Sequence, residues 1–227
     1  MIKRIVPFLA ALLLLLAACS HSSGGGGGGG AAESGGDSSA TPTATELAVI
    51  TEMNFARTRP AEYVTQRLEP QRTHPTLMRD NINAADFQAA LAECIAQMNV
   101  MTPIGSLSAG NGLYKAAREW VQKQGAGSST GHQSDWDNRV RKYVTATVVG
   151  ENISYGYSTP EEIVAALLID FGPNNTLRGH RCNILELTDT NGKTYGPYTH
   201  AGVSIGSHGA YNIMCCINYA GGNYADK

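Results

Sequence analysis

The sequence predicts an α+β fold in which helices pack on a small antiparallel sheet. Apolar residues recur at helical spacing through much of the chain after residue 43, and two-residue alternation takes over near the C-terminus. Setting aside the N-terminal segments described below leaves about 184 residues, enough for one domain with a sizeable core.

Thr43 and Glu46 stand at capping-box spacing, and Leu47, Ile50, Met53 and Asn54 follow on a helical period. This helix should end near Arg57, ahead of Pro60. A second, from about Asp86, carries Phe87, Ala90, Leu91, Cys94, Ile95 and Met98 on one face. A third presents Leu113, Ala116, Ala117, Trp120 and Val121, and the glycine-rich run from Gly125 to Gly131 breaks it. Residues Tyr143 to Tyr155 read as extended. The fourth helix has the clearest start, with Thr159 as N-cap, Pro160 in the first position and Glu162 in the third. It carries Ile163, Val164, Leu167 and Leu168 and stops at Phe171-Gly172-Pro173. Last come Ala201, Val203 and Ile205, a turn over Ser207 to Ala210, then Tyr211, Ile213, Cys215 and Ile217. That is a β-hairpin with one apolar face, and helices followed by antiparallel strands define the class.

The N-terminus reads as an export signal. Lys3 and Arg4 precede an apolar run from Ile5 to Leu16, which is too short to span a bilayer and has the length of a signal-peptide core. Leu16-Ala17-Ala18-Cys19 has the form of a lipobox, with Cys19 as the lipidation site and residues 1–18 as the cleaved peptide. The expected partner is therefore a lipid bilayer, with the domain in the cell envelope outside the cytoplasm. Ser20 after the cysteine favours an outer membrane where the cell has two. Residues 19–43 form a Gly/Ser-rich tether with seven consecutive glycines from Gly24. A flexible chain of that kind has a root-mean-square reach of about 25–30 Å. The folded domain is expected over residues 44–227.

Seventeen Lys and Arg face nineteen Asp and Glu, a formal charge of −2, and losing Lys3 and Arg4 with the signal peptide makes it −4. No Lys/Arg run appears, which argues against nucleic acid as a partner. Four cysteines follow Cys19: Cys94, Cys182, Cys215 and Cys216. They allow two disulfides in three pairings or four free buried thiols, although the adjacent Cys215 and Cys216 would point to opposite faces of a strand.

Among six histidines, His132 and His180 stand out with Glu151, because each follows a glycine that lets the backbone approach a cleft closely. Two imidazoles and a carboxylate from separate elements suit zinc and its neighbours. The same three residues also suit a structural hydrogen-bonded role. Gly202-Val203-Ser204-Ile205-Gly206 has the string of a hydrolase nucleophile elbow but runs along an expected strand, so Ser204 reads as a sheet residue. Cys182 lies two residues from His180 and would not face it on a helix.

The order of motifs resembles the CAP superfamily, whose shared unit is the SCP domain of cysteine-rich secretory proteins, antigen 5 and pathogenesis-related proteins, in its bacterial branch. The matching pieces are Asn54-Phe55-Ala56-Arg57 with Pro60 and Tyr63, Gly131-His132, Gly150-Glu151-Asn152-Ile153, Arg178-Gly179-His180-Arg181-Cys182-Asn183-Ile184-Leu185, and Gly202 to Gly206 with His208. The resemblance implies an α-β-α sandwich. It also implies a central cleft with two histidines and two acids that hold a divalent cation (zinc, magnesium or calcium) in several members. Carried over by motif, these are His132, His180 and Glu151. Asp170 stands in the place of the second acid, since the family's Trp-x-x-Glu pattern is absent, and Asn152 and His208 lie at the cleft's periphery. The expected function is a ligand-binding module for a small ligand, lipid or peptide. A metal-assisted hydrolase of peptide or cell-wall substrates, with Glu151 as general base, is the alternative. A structural or partner-binding domain is the third reading.

Overall fold

The computed structural model describes residues 41–79, 82–172 and 175–227. The expected signal peptide, the Cys19 anchor and nearly all of the tether lie outside the described residues. Among those described, no helix is long and apolar enough to cross a membrane.

The chain enters through α1 (Ala44–Thr58) and two single turns, α2 (Pro60–Tyr63) and α3 (Pro70–Thr73), separated by a π-helical turn over Val64–Leu68. Helix α4 (Ala84–Val100), the two-residue β1 (Ser108–Ala109), α5 (Asn111–Gly125) and α6 (Trp136–Tyr143) follow. Then come β2 (Val144–Thr145), β3 (Val148–Tyr155), α7 (Pro160–Ile169), α8 (Gly179–Leu185), β4 (His200–His208), β5 (Asn212–Gly221) and β6 (Ala225–Asp226). The main sheet has the order β1-β4-β5-β3, and β2 and β6 form a separate pair.

Both capping boxes form. Thr43 accepts from the Glu46 amide while Glu46 accepts from the Thr43 amide, and Thr159 and Glu162 do the same at α7. Each cap contributes about 1 kcal/mol. Glu46 does a second job: its Oε1 accepts from the Ile205 amide of β4 at 2.8 Å, so the cap also ties α1 to the sheet.

The central strand β5 shows why the domain has three layers. Cys215, Ile217 and Tyr219 face a core built from α1, α4 and α7, while Met214, Cys216 and Ala220 face α5 and α6. A strand buried on both faces needs apolar side chains at successive positions. Cys215 and Cys216 accordingly point apart, and Cys94, Cys182, Cys215 and Cys216 are all free and buried.

Two buried arginines fasten the layers. Arg57, at the end of α1, donates to the carbonyls of Gly105 and Ile184, each at 2.7 Å, and pairs with Glu186. Arg181 of α8 donates to the carbonyls of Leu168 and Ile169 and pairs with Glu93.

Three details differ from the sequence reading. The stretch expected to be extended from Tyr143 begins as helix α6 and becomes strand at Val144 and again at Val148; α6 buries only Arg139 and Val140, so it shows no apolar stripe. Strand β1 runs parallel to β4, which makes the edge of the otherwise antiparallel sheet mixed. The hairpin turn sits later than Ser207–Ala210, because Ser207 still pairs with Ile213 and His208 with Asn212.

Candidate functional site

Two dyads define the site. His132 lies in the loop between α5 and α6, after Gly131 at φ +99°, a left-handed value that favours glycine. Its Nδ1 donates to Oε1 of Glu151 on β3 at 2.8 Å. His180 is the second residue of α8, and its Nδ1 donates to Oδ1 of Asp170 at 2.7 Å, while its backbone amide donates to Oδ2 at 2.9 Å. Asp170 caps the C-terminus of α7 in the left-handed conformation, φ 54°. In both dyads the acid fixes which ring nitrogen carries the proton and leaves Nε2 as the second nitrogen.

The imidazoles are accessible and the acids are not. Side-chain exposure is 43 % for His132 and 24 % for His180, against 0 % for Glu151 and 1 % for Asp170. Glu151 is fully committed. Its Oε2 accepts from the guanidinium of Arg139, from Asn218 Nδ2 at 2.9 Å and from the Cys216 thiol at 3.5 Å. Burial pushes its pKa up, but the His132 hydrogen bond, the Arg139 charge and the Asn218 amide outweigh that and hold it below the usual carboxylate range.

A layer of amides supports the dyads. Asn152, on the opposite face of β3 from Glu151, donates to the His180 carbonyl at 3.0 Å and to the Tyr219 hydroxyl at 3.1 Å. Asn183 donates to the Asn152 side-chain oxygen at 2.8 Å and to the Glu151 carbonyl at 3.2 Å, and accepts from the Tyr198 hydroxyl at 2.8 Å. Gly150 makes this close packing possible, because a side chain there would meet Tyr198 and the Asn183 oxygen.

His132 and His180 stand where two cavities meet, one of about 580 Å³ and one of about 900 Å³. Glu151 and Asn183 border the first and Asp170 the second. Asn152 is buried behind the wall. His208 also lies behind it: its Nε2 donates to the Ser129 carbonyl at 2.9 Å, and its ring packs on Tyr155, which lines the larger cavity. Among the described residues, no group of three or more His, Cys, Asp or Glu is placed to hold a metal ion.

Neither decoy is placed for nucleophilic chemistry. Ser204 sits within β4, buried, with no strand-to-helix turn. Cys182 is buried in α8, and burial pushes its thiol up to about 11. Sequence reasoning missed Arg139, Asn218 and Tyr198. Nothing in the sequence marks the first two, and only register and helix placement bring them to Glu151. Asn183 stood within the quoted Arg-Gly-His-Arg-Cys-Asn motif without an assigned role.

The family model of CAP, the cysteine-rich secretory protein family, matches residues 101–219. The chain belongs to this family, and its α+β architecture is that of a CAP-type sandwich. No curated protein and no solved structure matches it.

Proposed function

We propose that the chain is an envelope-anchored CAP-domain lipoprotein whose cleft binds a small ligand, lipid or peptide beside a divalent cation at His132 and His180. The observation that carries this reading is the pair of accessible imidazoles, each held through Nδ1 by a buried carboxylate at the junction of the two cavities. Carboxylate–histidine pairs of this kind orient metal-binding imidazoles in general. Nε2 of each ring would be the ligand atom, and a nitrogen pair suits zinc better than the oxygen-seeking magnesium or calcium. A bound cation would supply a positive centre for an electron-rich group of the ligand. Glu151 and Asp170 would orient the rings rather than coordinate.

The hydrolase reading fits less well. A general base must be free to take a proton, whereas Glu151 is inaccessible, multiply hydrogen-bonded and lowered in pKa. A purely structural role for the histidines fits poorly with their exposure to the cleft.

Calorimetric titration of the intact chain with zinc and with magnesium tests the cation. Zinc is expected to bind the wild type, binding should weaken in acid as protons compete for the rings, and His132→Ala with His180→Ala should abolish it without unfolding the domain. A double variant that unfolds, alongside a wild type that binds no zinc, would leave the histidines a structural role. For the anchor, Cys19→Ser should block labelling with radioactive palmitate, and equal incorporation in the variant would refute lipidation.

A further inference from the structure

The main sheet ends in β1 on one side and β3 on the other, and the two edges are treated differently. On the first side β1 covers the start of β4, and further along β4 the Ile205 amide donates to Glu46 Oε1 at 2.8 Å. That edge is closed, as folded proteins usually close theirs. On the second side β3 pairs only with β5.

The register tells which backbone groups of β3 are already used. The Gly156 N–H donates to the Ile213 carbonyl at 2.9 Å, and Ser154, Asn152 and Gly150 stand opposite Cys215, Ile217 and Tyr219 in the same phase. Backbone groups alternate in direction along a strand, so those of Val149, Glu151, Ile153 and Tyr155 point away from β5. The Glu151 carbonyl fits that direction, since it accepts from Asn183 Nδ2 at 3.2 Å. The N–H and C=O groups of Ile153 and Tyr155 make no hydrogen bond among the described residues.

This open edge is the floor of the cleft. Val148 to Glu151 border the smaller cavity and Ile153 to Gly156 the larger, and His132 and His180 line both. Leu167 and Phe171 wall the larger cavity from α7, and Tyr211 packs on Tyr155 at its other wall. Near the Val148 end, Arg141 is fixed by its bond to the Ala146 carbonyl at 2.7 Å, and Lys193 lines the same cavity. The one acid lining that cavity among the described residues, Glu151, is buried against Arg139, so the surface there complements negative charge.

We infer that the ligand is an extended peptide that adds to β3 as a further strand, bonding the backbone of Ile153 and Tyr155 and placing an acidic residue toward Arg141 and Lys193. Main-chain bonds supply the attraction in strand addition, and alternate side chains supply the selectivity. One set of peptide side chains would meet Leu167 and Phe171, and the other would pass His132. The inference rests on the reading of this cleft as a ligand site and narrows the ligand to a peptide.

The probe is a pool of acetylated octapeptides in which threonine alternates with valine, isoleucine or tyrosine and the last residue is aspartate. Hydrogen exchange of the intact chain, read amide by amide by NMR, tests the inference. The pool should slow exchange at Ile153 and Tyr155 at least about tenfold, while Ser154 and Gly156, already bonded to β5, stay slow throughout. Methylating the backbone nitrogens of the pool keeps its side chains and removes its donors, so binding should weaken at least about tenfold. Lysine in place of the aspartate should weaken it by a similar factor. Binding that leaves the Ile153 and Tyr155 amides unchanged, or equal binding of the methylated pool, overturns strand addition. Equal binding of the lysine pool overturns the acidic end. Ile153 and Tyr155 amides already slow in a chain that sediments as a dimer would give the edge to a second copy and overturn the peptide. Zinc binding with no peptide binding overturns the inference while leaving the metal reading intact, and absence of both removes the cleft reading as well.

Discussion

His132 and His180 are held by the same kind of partner in two different electrostatic settings. The first dyad is neutralised in place: Glu151 is buried against Arg139, with Asn218 and the Cys216 thiol filling the remaining acceptor capacity. Among the described residues no guanidinium pairs with the second carboxylate; Asp170 there accepts from the ring and the backbone amide of His180. The first acid lies on a strand in the middle of the sheet, and the second on a strained helix terminus that the next helix must meet. One dyad is thus welded into the core, and the other depends on how α7 and α8 are joined.

The largest effect should come from stranding the buried carboxylate. Arg139→Met removes the charge opposite Glu151, and breaking a buried pair from one side costs about 3–5 kcal/mol. Urea unfolding measures it, and a loss below about 1 kcal/mol would mean that Glu151 does not need its guanidinium.

A sharper comparison replaces each acid by its amide. Glu151→Gln leaves Arg139 buried and unpaired, for a loss of about 3 kcal/mol. Asp170→Asn should cost only about 1–2 kcal/mol, because it weakens one charge-assisted contact and asparagine tolerates the left-handed backbone. Zinc affinity should fall about 10–100-fold in both, since both remove a carboxylate that orients a ring. Equal stability losses would erase the distinction between the dyads.

The smallest effect is in acid. Glu151 has a lower pKa folded than unfolded, so as pH falls the unfolded chain takes up the proton first. The stability it contributes is present above the ordinary carboxylate value of about 4.3 and is lost as pH falls through the lower folded value. The stability gap between wild type and Glu151→Gln should therefore be constant from pH 7 to about 5 and narrow below it. A gap that widens in acid would reverse the sign of the shift.

Much of the scaffold was legible because its signals are local. Thr43-Glu46 and Thr159-Glu162 announce helix starts within four residues, and alternation around Val203 and Ile217 announces the hairpin. Helix α6 was missed because it buries one apolar residue, Val140, beside Arg139, so a charged side chain stands where pattern reading looks for an apolar stripe. Motif resemblance singled out His132, Glu151, His180 and Asp170, which the structure pairs as two dyads, but the partners of Glu151 depend on the register that sets it opposite Asn218, which no short window of sequence contains.

Arg57 has a consequence for what can fold alone. The family match begins at residue 101, yet Arg57 reaches across to the Ile184 carbonyl and Glu186 inside that match. Val49, Met53 and Ala56 of the same helix belong to the main core. A chain truncated at residue 101 would therefore leave a hydrophobic face open and the Gly105, Ile184 and Glu186 acceptors without their cation. The matched segment is a unit of recognition, whereas the cooperative unit of folding reaches back to α1.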